Sequence, residues 1–151
     1  MKYFVMSTMF NKQTPSEFGM KYVEGHFVSL QDNSEWAQCQ LYDFGWGREN
    51  GFYKKPLGSF HELMSIVIDF SDDEDSYGAA SIIEDLYLTE LKEYLLESMK
   101  QNMDEKVKQR LLKIFRLYNP INRTFHKEFS SSQNKKEYGE WKLICDFYSK
   151  K

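Results

Sequence analysis

Four stretches of the chain repeat apolar residues at helical spacing, and each predicts one buried helix face. The first runs through Phe60, Leu63, Met64, Val67 and Ile68. Ser59 and Glu62 open it, a pairing that satisfies two of the amide donors left over at a helix start. The second runs through Ala79, Ile82, Ile83, Leu86 and Tyr87, with Asp75 or Ser76 as the expected N-cap. Leu91, Leu95 and Met99 form a narrower third stripe behind Thr89. Val107, Leu111, Ile114, Phe115 and Tyr118 form a fourth behind Asp104. Asn119-Pro120 should end that helix, because proline lacks an amide donor and disfavours helix in the residue before it. Helices this short are marginal in water, so their apolar faces must pack on one another or on a sheet.

Outside this region the pattern predicts strands. Tyr3 to Phe10 is β-branched and aromatic, and Met20–Val23 with Phe27–Leu30 reads as a hairpin turning at Glu24-Gly25. Ala37, Cys39 and Leu41 alternate with Trp36, Gln38, Gln40 and Tyr42, the period of a half-buried strand. Asp43 to Arg48 reads as a loop with glycines on both sides of Trp46, and Gly51 to Gly58 as a connector. Near the other end, Thr124–Phe129 suits a strand and Ser130–Lys136 a hairpin loop. Trp141, Leu143, Cys145 and Phe147 then alternate with Lys142, Ile144, Asp146 and Tyr148, which predicts another strand. The expectation is an α+β fold in a single domain over residues 1–151. Residues 1–58 are mainly strands and loops, 59–119 helical and 123–148 strands. An antiparallel sheet from the N-terminal and C-terminal strands should pack against a central set of about four short amphipathic helices.

Composition agrees with a folded globule: 151 residues are 41% hydrophobic and 17% aromatic. Twelve Phe, ten Tyr and three Trp exceed what one core accommodates, so some rings lie at the surface. Trp46 either folds back over the sheet edge or is presented outward by its loop.

Charge changes the picture more. The formal net charge of -3 hides an uneven distribution. From Asp69 to Glu97 ten carboxylates face the single base Lys92, whereas beyond Glu97 thirteen Lys and Arg stand against six Asp and Glu. The run Asp72-Asp73-Glu74-Asp75 has two readings: acids that suit the positive end of a helix and a solvated face, or a docking surface for a basic partner. Lys106, Lys108, Arg110, Lys113 and Arg116 spread around their helix like an ordinary polar face, so direct binding of nucleic acid is not expected.

Asp73-x-Asp75-x-Tyr77-Gly78-x5-Glu84 approaches a calcium-loop pattern, but Tyr77 replaces an oxygen ligand and helix spacing has already begun. Neither metal nor cofactor is expected. His26, His61 and His126 show no ligand spacing, and there is no glycine-rich phosphate loop and no nucleophile elbow. A Cys145–His126 pair would require assembly from distant segments. The chain is not expected to be an enzyme. Cys39 and Cys145 read as buried free thiols of a reducing compartment. With no secretory signal pattern after Met1-Lys2 and no ~20-residue apolar run, the expected location is cytoplasmic.

The segment Ser76 to Glu84 (Ser-Tyr-Gly-Ala-Ala-Ser-Ile-Ile-Glu), behind an acidic run and ahead of helices, resembles bacterial immunity proteins. Those proteins accompany polymorphic and contact-dependent growth inhibition toxins. The likeness covers Asp69 to about Glu97. It implies a cytoplasmic inhibitor that binds a cognate toxin domain, with a nuclease and its basic cleft as the expected target. Position and chemistry nominate Asp72, Asp73, Glu74 and Asp75 for charge, with Tyr77 and Trp46 as aromatic anchors. A calcium-responsive module and a small hydrolase are the alternatives.

Overall fold

Residues 2–8, 11–118, 120 and 131–150 are described by the computed structural model. They form an α+β chain, the class its pattern predicts, with two compact units, Met1–Tyr87 and Leu88–Lys151.

The first unit contains strands β1 (Phe4–Met6), β2 (Met20–Val23), β3 (His26–Ser29), β4 (Glu35–Asp43) and β5 (Arg48–Lys54). They make one antiparallel sheet in the order β1-β5-β4-β3-β2. The β2–β3 hairpin turns at Glu24 and Gly25, both at positive φ (49° and 86°), as a two-residue turn matched to strand twist demands. β1 is shorter than the run from Tyr3 suggests: Ser7 leaves the strand and Thr8 turns at φ 48°. β5 corrects the reading of its residues as loop and connector. Arg48-Glu49-Asn50-Gly51 has little intrinsic strand preference, but pairing with β1 on one side and β4 on the other overrides it.

Both faces of the sheet are apolar. Val5, Met20, Phe27, Trp36 and Phe52 cluster on one face beneath Phe18, which a 3-10 turn at Pro15–Phe18 delivers. Phe52 meets Phe18 and Phe27 edge to face, with centroids 5.2 and 4.9 Å apart. Phe4, Met6 and Leu41 are buried on the other face, towards helix α2 (Asp73–Leu86).

α1 (Phe60–Val67) starts where the sequence indicates, with Ser59 Oγ accepting from the Glu62 amide. α2 starts earlier than either expected cap. Its N-cap is Asp72, whose carboxylate accepts the Asp75 amide at 3.1 Å. The Ser76 hydroxyl is instead buried within reach of the Ile66, Asp69 and Asp72 carbonyls, tying α2 to α1.

The first turn of α2 also covers the free edge of β1. Tyr3 and Phe4 donate their amides to Asp75 Oδ1 at 3.0 and 2.9 Å, and Met6 donates its amide to Glu74 Oε2 at 2.9 Å. Lys2 Nζ bridges Asp72 at 2.8 Å and Glu74 at 2.7 Å. Edge amides left open invite pairing with other chains, and here carboxylates occupy them.

A pH dependence follows. Burial alone would raise the Asp72 carboxyl, but its bond from Lys2 and the Asp75 amide outweigh that and hold it below 3.8. A lowered folded pKa means stabilisation that is complete above the ordinary carboxylate range and is lost as pH falls through the lowered value. The stability gap between wild type and Asp72→Asn, measured by urea unfolding across pH 2 to 6, should therefore be widest at the upper end and narrow towards pH 2. A constant gap would assign Asp72 a role independent of its charge.

The second unit holds α3 (Leu88–Ser98), α4 (Glu105–Ile114) and α5 (Ser131–Ser149). Asp104 caps α4 as expected, accepting from the Lys106 and Val107 amides. α4 ends at Ile114, and 115–118 are turn. α5 is the largest correction: residues 131–149 are helical where a loop and a strand were expected, so no C-terminal strand from this segment joins a sheet. The expected strand Thr124–Phe129 lies outside the described residues. Trp141, Ile144, Cys145 and Tyr148 are buried while Leu143 is 58% exposed, which is helical periodicity. Six of the eight positions from 141 to 148 are apolar or aromatic, so the segment satisfies both periods. The Lys142–Asp146 ion pair at 2.9 Å and the Tyr148 hydroxyl donating to the Leu95 carbonyl at 3.1 Å belong to the helical solution. Among the described residues no helix is long and apolar enough to cross a membrane.

Candidate partner-binding surface

Of the six nominated residues, the structure brings Tyr77 and Trp46 into one aromatic cluster and uses Asp72, Glu74 and Asp75 to hold β1 and the start of α2. Asp75 is 4% exposed, which corrects the expectation that the whole acidic run faces solvent. Burial pushes its carboxyl up, against the downward pull of the Tyr3 and Phe4 amides. Asp72 caps α2, and Glu74 holds the Met6 amide and Lys2. Asp73 is exposed, one helical turn ahead of Tyr77.

The cluster grows from the β4–β5 connection. Gly45 and Gly47 stand at φ 120° and 103°, a region closed to most side chains, and so flank Trp46 with two sharp backbone turns. Asp43 Oδ1 accepts the amides of Gly45 at 2.7 Å and Gly47 at 3.1 Å, fixing those turns. Phe44 and Trp46 stack with centroids 5.8 Å apart and planes 24° apart. Tyr77 backs them from α2, with its ring 4.9 Å from Phe44 and 4.6 Å from Tyr42. The Trp46 indole N–H donates to Glu49 Oε2 at 2.8 Å, and Glu49 itself is fully buried. Arg48 ties the connection to α2 through Asp85 at 2.7 Å and to the Gln40 and Leu41 carbonyls. Phe44 and Trp46 remain 37% and 43% exposed. Trp46 is thus presented outward, with its indole N–H held.

Phe44 and Tyr42 were not singled out from sequence. The signal was present, because Tyr42, Phe44 and Trp46 continue a two-residue period past the end of the strand.

The calcium-like pattern lies entirely within α2. On a helix rising 1.5 Å per residue, Asp73 and Glu84 are about 16 Å apart along the axis, too far to share an ion held at about 2.4 Å. Gly78, which matches the turn glycine of that pattern, is instead where β1 crosses: a Cβ there would lie 2.3 Å from Phe4 Cγ. Among the described residues no group of three or more His, Cys, Asp or Glu side chains gathers as a metal site.

Neither Cys39 nor Cys145 is in a disulfide. Burial pushes the Cys39 thiol up to about 12, against a smaller downward pull from Arg48, and so keeps it from the thiolate form. Cys145 is 3% exposed inside α5, and His126 lies outside the described residues. Further concavities in the first unit include a groove of about 780 Å³ beside Phe18, Met20 and Trp36, a pocket of about 380 Å³ between β1 and α1, and one of about 460 Å³ lined by Lys2, Tyr3, Asp72 and Asp75. Cysteine and histidine line none of these three.

Compared with known proteins, the chain matches no family model, no curated protein and no solved structure.

Proposed function

We propose that the protein is a cytoplasmic immunity protein that binds and neutralises a cognate toxin domain, without chemistry of its own. The observation that carries this reading is the held, half-exposed Phe44–Trp46 stack. Large rigid rings cost little entropy to immobilise and dominate binding energy where they are desolvated. The surrounding unit is strongly acidic, with fourteen Asp and Glu against six Lys and Arg in residues 1–87. That field would speed docking on the basic substrate cleft of a nuclease and keep nucleic acid out. Phe44, Trp46 and Tyr77 are the anchors, and Asp73 is the acid of the 72–75 run best placed beside them. Asp72, Glu74 and Asp75 contribute to the field while holding β1.

The test is titration against the toxin domain encoded beside the gene, at low and high salt, with toxin activity followed in parallel. Binding tighter than about 10 nM, loss of toxin activity and weakening with salt support the inhibitor. Trp46→Ala should weaken binding at least about 30-fold, the scale of one hot-spot residue. This is measured well below the unfolding transition of the variant, because the change also removes the indole donor to buried Glu49. Absence of binding to that domain sinks the proposal.

A further inference from the structure

We infer that the exposed face of the Phe44–Trp46 stack is a seat for a guanidinium, so that the partner engages it through an arginine. The inference rests on the reading of this surface as a protein-binding site, and it names what occupies it. The two rings lie nearly parallel, and both residues remain more than a third exposed. The negative face of an aromatic ring attracts a cation, indole most strongly. The bond from the indole N–H to buried Glu49 anchors the ring through its edge rather than its face. Tyr77 and Tyr42 support the stack from behind, so that the seat exists before a partner arrives.

The charge around the stack fits a cation. Asp43 belongs to the same connection, Asp73 lies one turn before Tyr77, and the unit as a whole carries a large acidic excess. The nearby guanidinium of the protein itself, Arg48, is committed to Asp85 and to two strand carbonyls. Arginine suits the seat better than lysine. Its flat, weakly hydrated group stacks on a ring while its N–H groups reach carboxylates at the rim, whereas an ammonium holds its water and presents no plane.

The three indole N–H signals in a 1H–15N spectrum of the full chain provide the readout, with Trp46→Phe identifying the one at the stack. Two probes are titrated at physiological salt, a hexa-arginine and a hexa-lysine peptide of equal charge. The Trp46 signal should shift saturably with a dissociation constant about three- to fivefold lower for the arginine peptide. The Trp36 and Trp141 signals should stay in place. Phe44→Leu keeps apolar volume but loses the ring, and should abolish the arginine preference. Equal affinities for the two peptides, or an unmoved Trp46 signal, overturn the seat. A toxin domain bound without any shift at Trp46 also removes the seat, but leaves the protein-binding reading intact. An arginine preference at Trp46 without toxin binding supports the seat and removes the toxin.

Discussion

Replacing Gly78 by Ala destabilises the first unit by about 1–3 kcal/mol, the scale of overpacking in a closed core, although the same change in an open helix stabilises. The added Cβ would fall 2.3 Å from Phe4 Cγ and 2.5 Å from Phe4 Cβ, and Phe4 is only 2% exposed. Neither atom is the loose end of a flexible side chain. The ring and its strand must therefore move away from α2, or α2 must shift. Against this stands a gain of about 0.5–1 kcal/mol because alanine favours helix over glycine. Gly139 supplies the internal control. It lies within α5, exposed, with nothing inside 4 Å of its hypothetical Cβ. Gly139→Ala should therefore stabilise by the full helix term. Urea unfolding of the two variants, followed separately for each unit by hydrogen exchange, should show shifts of opposite sign. Shifts of the same sign would refute the close approach of Phe4 to α2.

Asp75→Ala should cost about 3 kcal/mol, because it leaves the part-buried Tyr3 amide and the buried Phe4 amide without their acceptor. Asp75→Asn keeps an oxygen at the position and should lose roughly half as much. Amide exchange at Tyr3 and Phe4 reads the effect locally: protection should drop sharply in the alanine variant and only partly in the asparagine variant. The pH dependence at this residue runs opposite to that at Asp72. Burial raises the folded pKa of Asp75, so its net linkage term favours the fold at low pH and is lost as pH rises through the raised value. The acid limb of wild-type stability is thus a difference of two terms, and Asp75→Asn should steepen the loss on acidification that Asp72→Asn flattens. Equal slopes in the two variants would contradict the opposed shifts.

The sequence revealed what depends on near neighbours. Ser59 and Asp104 cap the helices they were expected to cap, and Glu24-Gly25 turns the expected hairpin, since each rests on residues within one turn. The acidic run shows where such reading stops. Its composition suggests a solvated face, yet the partners that bury Asp75 lie about seventy positions earlier, at Tyr3 and Phe4. Gly78 shows the same limit: locally it looks like a calcium-loop glycine, and the reason for it is a ring on β1. Residues 141–148 failed differently, because alternation and helical spacing were both satisfied and only packing chose between them. The binding surface was half legible. Trp46 and Tyr77 could be named, but Phe44, which joins them, becomes significant only when α2 is laid against the β4–β5 connection.

The covering of β1 by the first turn of α2 also orders events in time. β2, β3, β4 and β5 follow one another along the chain and can pair as each arrives. β1 is made first but must wait for β5 to give it a neighbour, and for Glu74 and Asp75 to occupy its outer amides. Contacts of such long sequence separation close slowly. During synthesis the first segment therefore stays unpaired until β5 exists, at about a third of the chain. Its outer amides stay open until Glu74 and Asp75 follow at about half, and the first unit becomes complete only once α2 has been made.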